Sequence, residues 1–131
     1  METDCKYLFI YGSLMDEANE FGAYLQQNSS HVAEGHFNGL LYDMGEYPGA
    51  VYAPDAITKV YGEIRLLNNP ADALKIIDEY EGYGPDEVQP NLFIRHLIAV
   101  QTGINNIICW VYLYNLGTEA YKQILSGKYK A

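Results

Sequence analysis

Apolar residues along this chain come in short blocks that have the length of β-strands. Residues 7–11 are an apolar and aromatic run of the kind that buried strands use. Five later blocks share this pattern and are separated by turn residues: residues 32–42, 50–53, 60–67, 92–100 and 106–114. A short polar turn joins the last two blocks, and this arrangement predicts an antiparallel hairpin.

The first stretch with a helical pattern follows Gly12. Met15, Ala18 and Leu25 recur at helical spacing, and Ser13 is a suitable N-cap with acidic residues in the first turn. The pattern therefore predicts a helix that begins after Ser13 and ends near residue 27.

Two further helices are predicted. Asn69 and Pro70 are typical of a helix N-cap and first helical position, and Gly82 is a natural stop, so a helix is expected between them. A short polar helix is also expected over residues 118–125.

Glycines inside the strand patterns indicate how the sheet is shaped. Gly35, Gly39 and Gly62 interrupt strand blocks, and glycines in such places often mark bulges or bends that let a sheet curl. We therefore expect an α+β fold with a curled, mostly antiparallel sheet. The length of 131 residues fits one domain over residues 1–131.

The net charge and the lengths of the apolar runs argue against nucleic acid and membranes as partners. Eight Lys and Arg residues against 17 Asp and Glu residues give a formal net charge of −9. Such a chain repels phosphate backbones, and no basic stripe offsets this, so nucleic acid is not expected. The longest apolar run, residues 107–114, is far below the ~20 residues that span a bilayer, so no membrane partner is expected.

The cysteine and histidine residues give no sign of a disulfide or a metal site. Cys5 and Cys109 are far apart and form no C-x-x-C pair, which favours reduced thiols and a cytoplasmic location. Cys109 lies within a strand block and is expected to be buried. The three histidines show no ligand-like spacing, so no metal site is expected.

Three carboxylates lie close together in the last turn of the helix that is predicted between Asn69 and Gly82. Asp78, Glu79 and Glu81 oppose the helix macrodipole, each at a cost of about 0.3–1 kcal/mol, and they repel one another. One interpretation is an ordinary solvated acidic surface. The other is a functional carboxyl, because the negative helix end and the like charges raise a carboxyl pKa towards the range of a general base.

The turn after the first strand is a second candidate site. Residues Tyr11, Gly12, Ser13 and Leu14 lie where N–H groups at a helix start could receive a carboxylate or an oxyanion. The plainer interpretation is a capped helix that follows a strand. No Gly-Lys-Ser/Thr follows, so the turn is not a P-loop.

Four short motifs occur in a fixed order along the chain. They are Tyr11-Gly-Ser-Leu14, Gly39-Leu-Leu-Tyr-Asp-Met-Gly45 with Tyr47-Pro-Gly49, Val60-Tyr-Gly-Glu63, and Asp78-Glu-Tyr-Glu-Gly82. This series resembles the γ-glutamylcyclotransferase-like family, which includes the γ-glutamylamine cyclotransferases and the plant AIG2-like proteins. The resemblance covers roughly residues 6–114, and it implies a small β-barrel flanked by helices.

The resemblance also implies an activity and its residues. It assigns the catalytic acid–base role to Glu81 and substrate binding to Tyr11, Gly12, Ser13 and Leu14. Members of this kind cyclise a small γ-glutamyl amide or amine to 5-oxoproline and release the free amine. No metal or organic cofactor is implied.

Other hypotheses stay open. Phe93 stands where relatives often carry a tyrosine two residues before an arginine, and the loop of residues 83–91 is long and acidic. Both features favour a non-catalytic small-molecule-binding or stress-response member of the same fold. A covalent mechanism through Cys109 or Ser13 is weaker, because no histidine has a recognisable relation to either. Glu63, in a matching strand motif, is interpreted as structural. The sequence leaves the amine partner and the oligomeric state open.

Overall fold

The structure, a computed structural model, describes residues 5–129. Residues 1–4 and 130–131, which the expected domain of residues 1–131 includes, lie outside this description, as does the side chain of Ser13. The elements in chain order are β1 (Tyr7–Ile10), a 3-10 turn (Ser13–Met15), α1 (Glu20–Gln27), β2 (Ser29–Asp43), β3 (Pro48–Tyr52), β4 (Lys59–Leu67), α2 (Pro70–Glu81), β5 (Phe93–Gln101), β6 (Asn106–Tyr114) and β7 (Lys122–Gln123). Among residues 5–129, no helix has the combination of length and hydrophobicity that a membrane-spanning helix requires.

Five of these strands close into a barrel. Hydrogen-bonded neighbours follow the order β2, β4, β1, β6 and β5, and the pairing of His36 in β2 with Gln101 in β5 closes the ring. β3 and β7 pair with the C-terminal end of β2, outside the ring. β1 and β6 are parallel, and the other pairs are antiparallel. The expected α+β fold with a curled, mostly antiparallel β-barrel flanked by helices is confirmed.

A glycine permits the closure. A Cβ atom on Gly35 would lie 2.7 Å from Cγ1 of Val100 and 3.0 Å from the carbonyl oxygen of Gln101. β2 can therefore approach β5 only because this residue has no side chain. A register shift between His31 and Ala33 adds a β-bulge to the same strand. This bulge lies before Gly35 and Gly39 and not at either glycine, and Gly35 instead permits the close approach of β5.

The barrel wall separates two hydrophobic cores, because side chains alternate along each strand. Phe9 of β1 and Tyr11, which directly follows β1, point into the barrel, whereas Leu8 and Ile10 pack outward in the core that the helices cover. Cys109 of β6 lies fully buried inside the barrel, as expected. One strand thus supports both the barrel and the layer that carries α1 and α2.

The boundaries of α2 follow from its capping residues, as predicted. The Asn69 side chain accepts a hydrogen bond from the Asp72 N–H, and Pro70 lies in the first turn. Gly82 ends the helix in the left-handed region at φ 74°, and its N–H donates to the carbonyls of Asp78 and Glu79.

The first predicted helix begins later than expected. Ser13 starts only a 3-10 turn, and α1 begins after Asn19, whose side chain accepts a hydrogen bond of 2.8 Å from the Phe21 N–H. Oδ1 of Asp16 accepts another of 2.9 Å from the Ala18 N–H. These side chains compete with helical hydrogen bonding and hold the intervening residues in turns.

The predicted C-terminal helix over residues 118–125 is wrong. The segment contains β7 instead, and the Ile124 N–H donates to the Leu41 carbonyl at 2.7 Å. Further along, the Gly127 carbonyl accepts from the Tyr61 N–H at 2.9 Å. A helix of eight polar-rich residues is marginal by itself, whereas the edge of the sheet offers this backbone ready partners.

Candidate active site

A cavity of about 180 Å³ opens between the end of β1, the end of α2 and the start of β5. Twelve described residues line it: Phe9, Ile10, Tyr11, Gly12, Leu14, Tyr47, Pro48, Tyr80, Glu81, Leu92, Phe93 and Tyr112. Most of these side chains are aliphatic or aromatic, and none of the twelve is Lys, Arg or His. A concave, largely apolar space with few polar groups is typical of a small-molecule site.

The cavity brings together the two candidate motifs. Glu81 lines it from the end of α2, and Tyr11, Gly12 and Leu14 line it from the turn after β1. The side chain of Ser13 lies outside the description, so its binding role stays a prediction.

Helix geometry explains why Glu81 faces inward. Ala73 and Ile77 are the buried residues of α2, and Glu81 follows Ile77 by four positions on the same side of the helix. The left-handed cap at Gly82 then ends the helix directly after the glutamate. The apolar face that attaches α2 to the barrel therefore carries the carboxyl group into the cavity.

The surroundings of Glu81 favour its protonated form. Within residues 5–129 we find no hydrogen bond or ion pair of its carboxylate, although the residue as a whole is partly exposed. Burial, and secondarily the negative charge of Asp78, raises the pKa of Glu81 to about 8. A carboxyl group with this pKa can both accept and deliver a proton near neutral pH.

The neighbouring Asp78 is in the opposite situation. Its carboxylate accepts hydrogen bonds of 2.8 and 3.0 Å from Nε and Nη2 of Arg95 and one of 2.6 Å from the Tyr112 hydroxyl. The Arg95 guanidinium in turn lies 4.2 Å from the ring centre of Trp110. Of the three acidic residues at this helix end, Asp78 is paired, Glu79 is exposed, and Glu81 is enclosed without a partner among the described residues.

This pairing was missed from the sequence. Arg95 and Tyr112 are opposite one another in the β5–β6 hairpin, which places both beside Asp78. The predicted hairpin could have shown that Arg95 and Tyr112 are neighbours, because an antiparallel register identifies the residues that lie opposite one another. The register could not be applied to Asp78 until the packing of α2 on that hairpin was known.

The turn after β1 is held by a tyrosine and a glycine. The Tyr11 hydroxyl donates to the Tyr112 carbonyl at 2.6 Å and accepts from the Ala50 N–H at 3.2 Å. A Cβ atom on Gly12 would lie 2.6 Å from Cγ of Pro48, so only glycine lets that proline close one side of the cavity. The Tyr11 hydroxyl is thus used by the fold, and its ring and backbone are what the cavity presents.

The other candidate residues lie away from the cavity lining. The Cys109 thiol is inside the barrel, and burial raises its pKa to about 12, so it stays protonated and is a poor nucleophile. Glu63 accepts from Nη1 of Arg65 at 2.7 Å and contacts Nδ1 of His31 at 2.6 Å, which supports a structural role. Among residues 5–129, no group of three or more His, Cys, Asp or Glu side chains could hold a metal ion.

Comparison with solved structures identifies relatives of this fold. An AIG2-like protein from Mus musculus has a TM-score of 0.72 at 17% identity, over 95% of this chain and 88% of that one. YkqA from Bacillus subtilis has a TM-score of 0.70 at 20% identity, and the match covers 95% of this chain but only 39% of that one. Protein ytfP from Escherichia coli has a TM-score of 0.59 at 26% identity, over 94% and 95% of the two chains.

The chain was also compared with curated proteins and with protein families. No curated protein matches it. A family model described as gamma-glutamyl cyclotransferase, AIG2-like, matches residues 8–131. The match covers almost the whole chain and contains the four ordered motifs. The chain belongs to the AIG2-like gamma-glutamyl cyclotransferase family.

Proposed function

We propose that this protein is a γ-glutamylcyclotransferase. It converts a small γ-glutamyl amide or amine to 5-oxoproline and releases the free amine, with Glu81 as general acid–base residue. Family membership supports the reaction class. The observation that carries the proposal is the Glu81 carboxyl, which has a pKa of about 8 and, in the part of the chain that the structure describes, lies unpartnered in a largely apolar cavity beside the turn after β1.

The proton transfers balance within the active site. The neutral α-amine of the substrate attacks its own γ-carbonyl carbon, and its proton passes to the Glu81 carboxylate. The tetrahedral intermediate then breaks the bond to the leaving nitrogen, and protonated Glu81 delivers the same proton to that nitrogen. The products are 5-oxoproline and the amine, and Glu81 returns to its starting state.

Substrate oxygens need donors in a cavity whose described lining has no cationic side chain. We assign this role to main-chain N–H groups of Gly12, Ser13 and Leu14, as the turn after β1 lines the cavity. Such donors also offset negative charge on the tetrahedral intermediate. Tyr11 contributes its ring and its backbone.

The scheme uses no metal or organic cofactor and no macromolecular partner. We propose a small-molecule enzyme of the cytoplasm, in agreement with the net charge of −9 and the free thiols of Cys5 and Cys109.

The test is incubation with a panel of γ-glutamyl amides, peptides and amines, followed by detection of 5-oxoproline. We expect at least one member to be cyclised, and its analogue without the α-amine to be inert because it has no nucleophile. If the protein binds γ-glutamyl ligands but forms no 5-oxoproline from any of them, it is a non-catalytic binding member of the fold.

A further inference from the structure

Some polar side chains of the cavity lining already have hydrogen-bond partners within the protein, and others do not. Five described side chains in the lining carry such a group: Tyr11, Tyr47, Tyr80, Glu81 and Tyr112. The Tyr11 hydroxyl bonds to two main-chain groups, and the Tyr112 hydroxyl donates to Asp78. The Tyr80 hydroxyl accepts from Nδ2 of Asn19 at 2.9 Å. Within residues 5–129, only the Tyr47 hydroxyl and the Glu81 carboxyl in this set have no hydrogen-bond partner.

Tyr47 is nevertheless held firmly in place. It lies in the turn between β2 and β3, where its carbonyl accepts from the Met44 N–H at 3.0 Å. The neighbouring Glu46 carbonyl accepts from the Tyr129 hydroxyl at 3.2 Å, and the Tyr47 ring packs 6.0 Å from that of Phe93. The fold therefore fixes the backbone and the ring and leaves the hydroxyl for another partner.

A γ-glutamyl substrate brings a carboxylate into a cavity that has no Lys, Arg or His in its described lining. Neutral donors must then bind that carboxylate. Burial, followed by the neighbouring Tyr121, Glu81 and Glu46, raises the pKa of Tyr47. Its hydroxyl therefore stays protonated at neutral pH and is available as a donor.

We propose that Tyr47 is a substrate-binding residue whose hydroxyl donates a hydrogen bond to the α-carboxylate of the γ-glutamyl group. The inference rests on the proposed function for the identity of the ligand. It adds a side-chain donor from the β2–β3 turn, on a different part of the chain from the turn after β1. Because a carboxylate is present both in the bound substrate and in the transition state, this contact contributes uniform binding.

The kinetic test is Tyr47→Phe, which keeps the ring against Phe93 and removes only the hydroxyl. We expect KM to rise about tenfold, as for a lost hydrogen bond to a charged group, with kcat within about twofold. Tyr52→Phe is the matched control, because Tyr52 lies at the end of β3, outside the cavity lining, and both constants should stay unchanged. If kcat falls at constant KM, the hydroxyl acts on the reacting carbonyl and the proposal is overturned. Unchanged constants overturn it as well.

A binding test separates this inference from the proposed function. NMR titration of labelled protein compares 5-oxoproline, which has the carboxylate, with 2-pyrrolidinone, which has only the lactam ring. Tyr47→Phe should weaken the first by about tenfold and the second by less than twofold. Equal weakening of both ligands, or no 5-oxoproline binding by the wild type, overturns the inference. A wild type that binds 5-oxoproline but turns over no γ-glutamyl substrate refutes the proposed function alone.

Discussion

Two glutamates of this protein, Glu63 in β4 and Glu81 at the end of α2, lie in opposite surroundings. Glu63 is matched by Arg65 and His31 at 2.7 and 2.6 Å, and Arg65 is almost fully buried. Glu81 has apolar neighbours, and its pKa is raised by burial. A paired carboxylate serves the fold, whereas an unpaired one in a cavity is maintained at a cost to stability, which is typical of functional sites.

The largest expected effect is on turnover in Glu81→Gln. The amide keeps the size of the side chain but cannot exchange a proton, so kcat should fall by ~10²–10⁴-fold while ligand binding stays within about tenfold. Glu79→Gln is the matched control, since it makes the same change from carboxyl to amide on the exposed face of the same turn. A Glu81→Gln enzyme with more than about a third of the wild-type rate would contradict the mechanism.

Glu63→Gln should give the reverse pattern. Activity should stay near the wild-type level, because Glu63 does not line the cavity. The free energy of unfolding should drop by about 2–3 kcal/mol, because the buried Arg65 loses its charged partner. Urea denaturation measures this change. A Glu63→Gln variant that keeps its stability but loses its activity would contradict the structural role of Glu63.

The difference in stability between Glu81→Gln and the wild type should depend on pH. The folded protein raises the pKa of Glu81 from 4.5 to about 8, so this group's contribution to stability is complete below pH 4.5 and is lost as pH rises through 8. The variant lacks this loss and should be more stable than the wild type at pH 9, by on the order of 2 kcal/mol, and close to it at pH 5. Thermal unfolding at the two pH values gives the comparison, and an equal difference at both would refute burial as the cause.

The smallest effect concerns Asp78→Asn. Wild-type kcat/KM should rise with pH up to about 8, because the base form of Glu81 is needed. Asp78 is the second cause of the raised pKa, after burial, so its neutralisation should move this limb to lower pH by less than about one unit. A pH–rate profile tests this directly. A limb that moves to higher pH would contradict the statement that the charge of Asp78 raises the pKa of Glu81.

The parts of this molecule that the sequence predicted are those governed by local rules. Asn69 and Gly82 determine α2 through capping, and the short turn between two apolar runs determines the β5–β6 hairpin. The placement of Glu81 and the turn after β1 in one site was also expected, but from the family resemblance and not from the spacing of these residues.

The remaining features depend on contacts between distant segments. Nothing near Asp78 indicates that Arg95 will pair with it, because that contact exists only once α2 packs on the hairpin. Likewise, residues 118–125 have an adequate helical pattern, and only the free edge of β2 selects a strand instead. The predicted start of α1 was wrong for a local reason. The side chains of Asp16 and Asn19 accept hydrogen bonds from nearby main-chain N–H groups and so replace helical hydrogen bonds before residue 20.

The single parallel pairing described in this fold has a consequence for synthesis of the chain. Leu8 and Phe9 of β1 pair with Trp110 and Val111 of β6, so β1 is synthesised well before its parallel partner. Contacts between such distant segments form slowly, and until they form an apolar strand has an open edge. A nascent chain that ends before Trp110 already has Glu81 and the turn after β1, but it lacks Tyr112 and therefore part of the cavity wall. The cavity is thus complete only after β6 has been synthesised and has paired with β1.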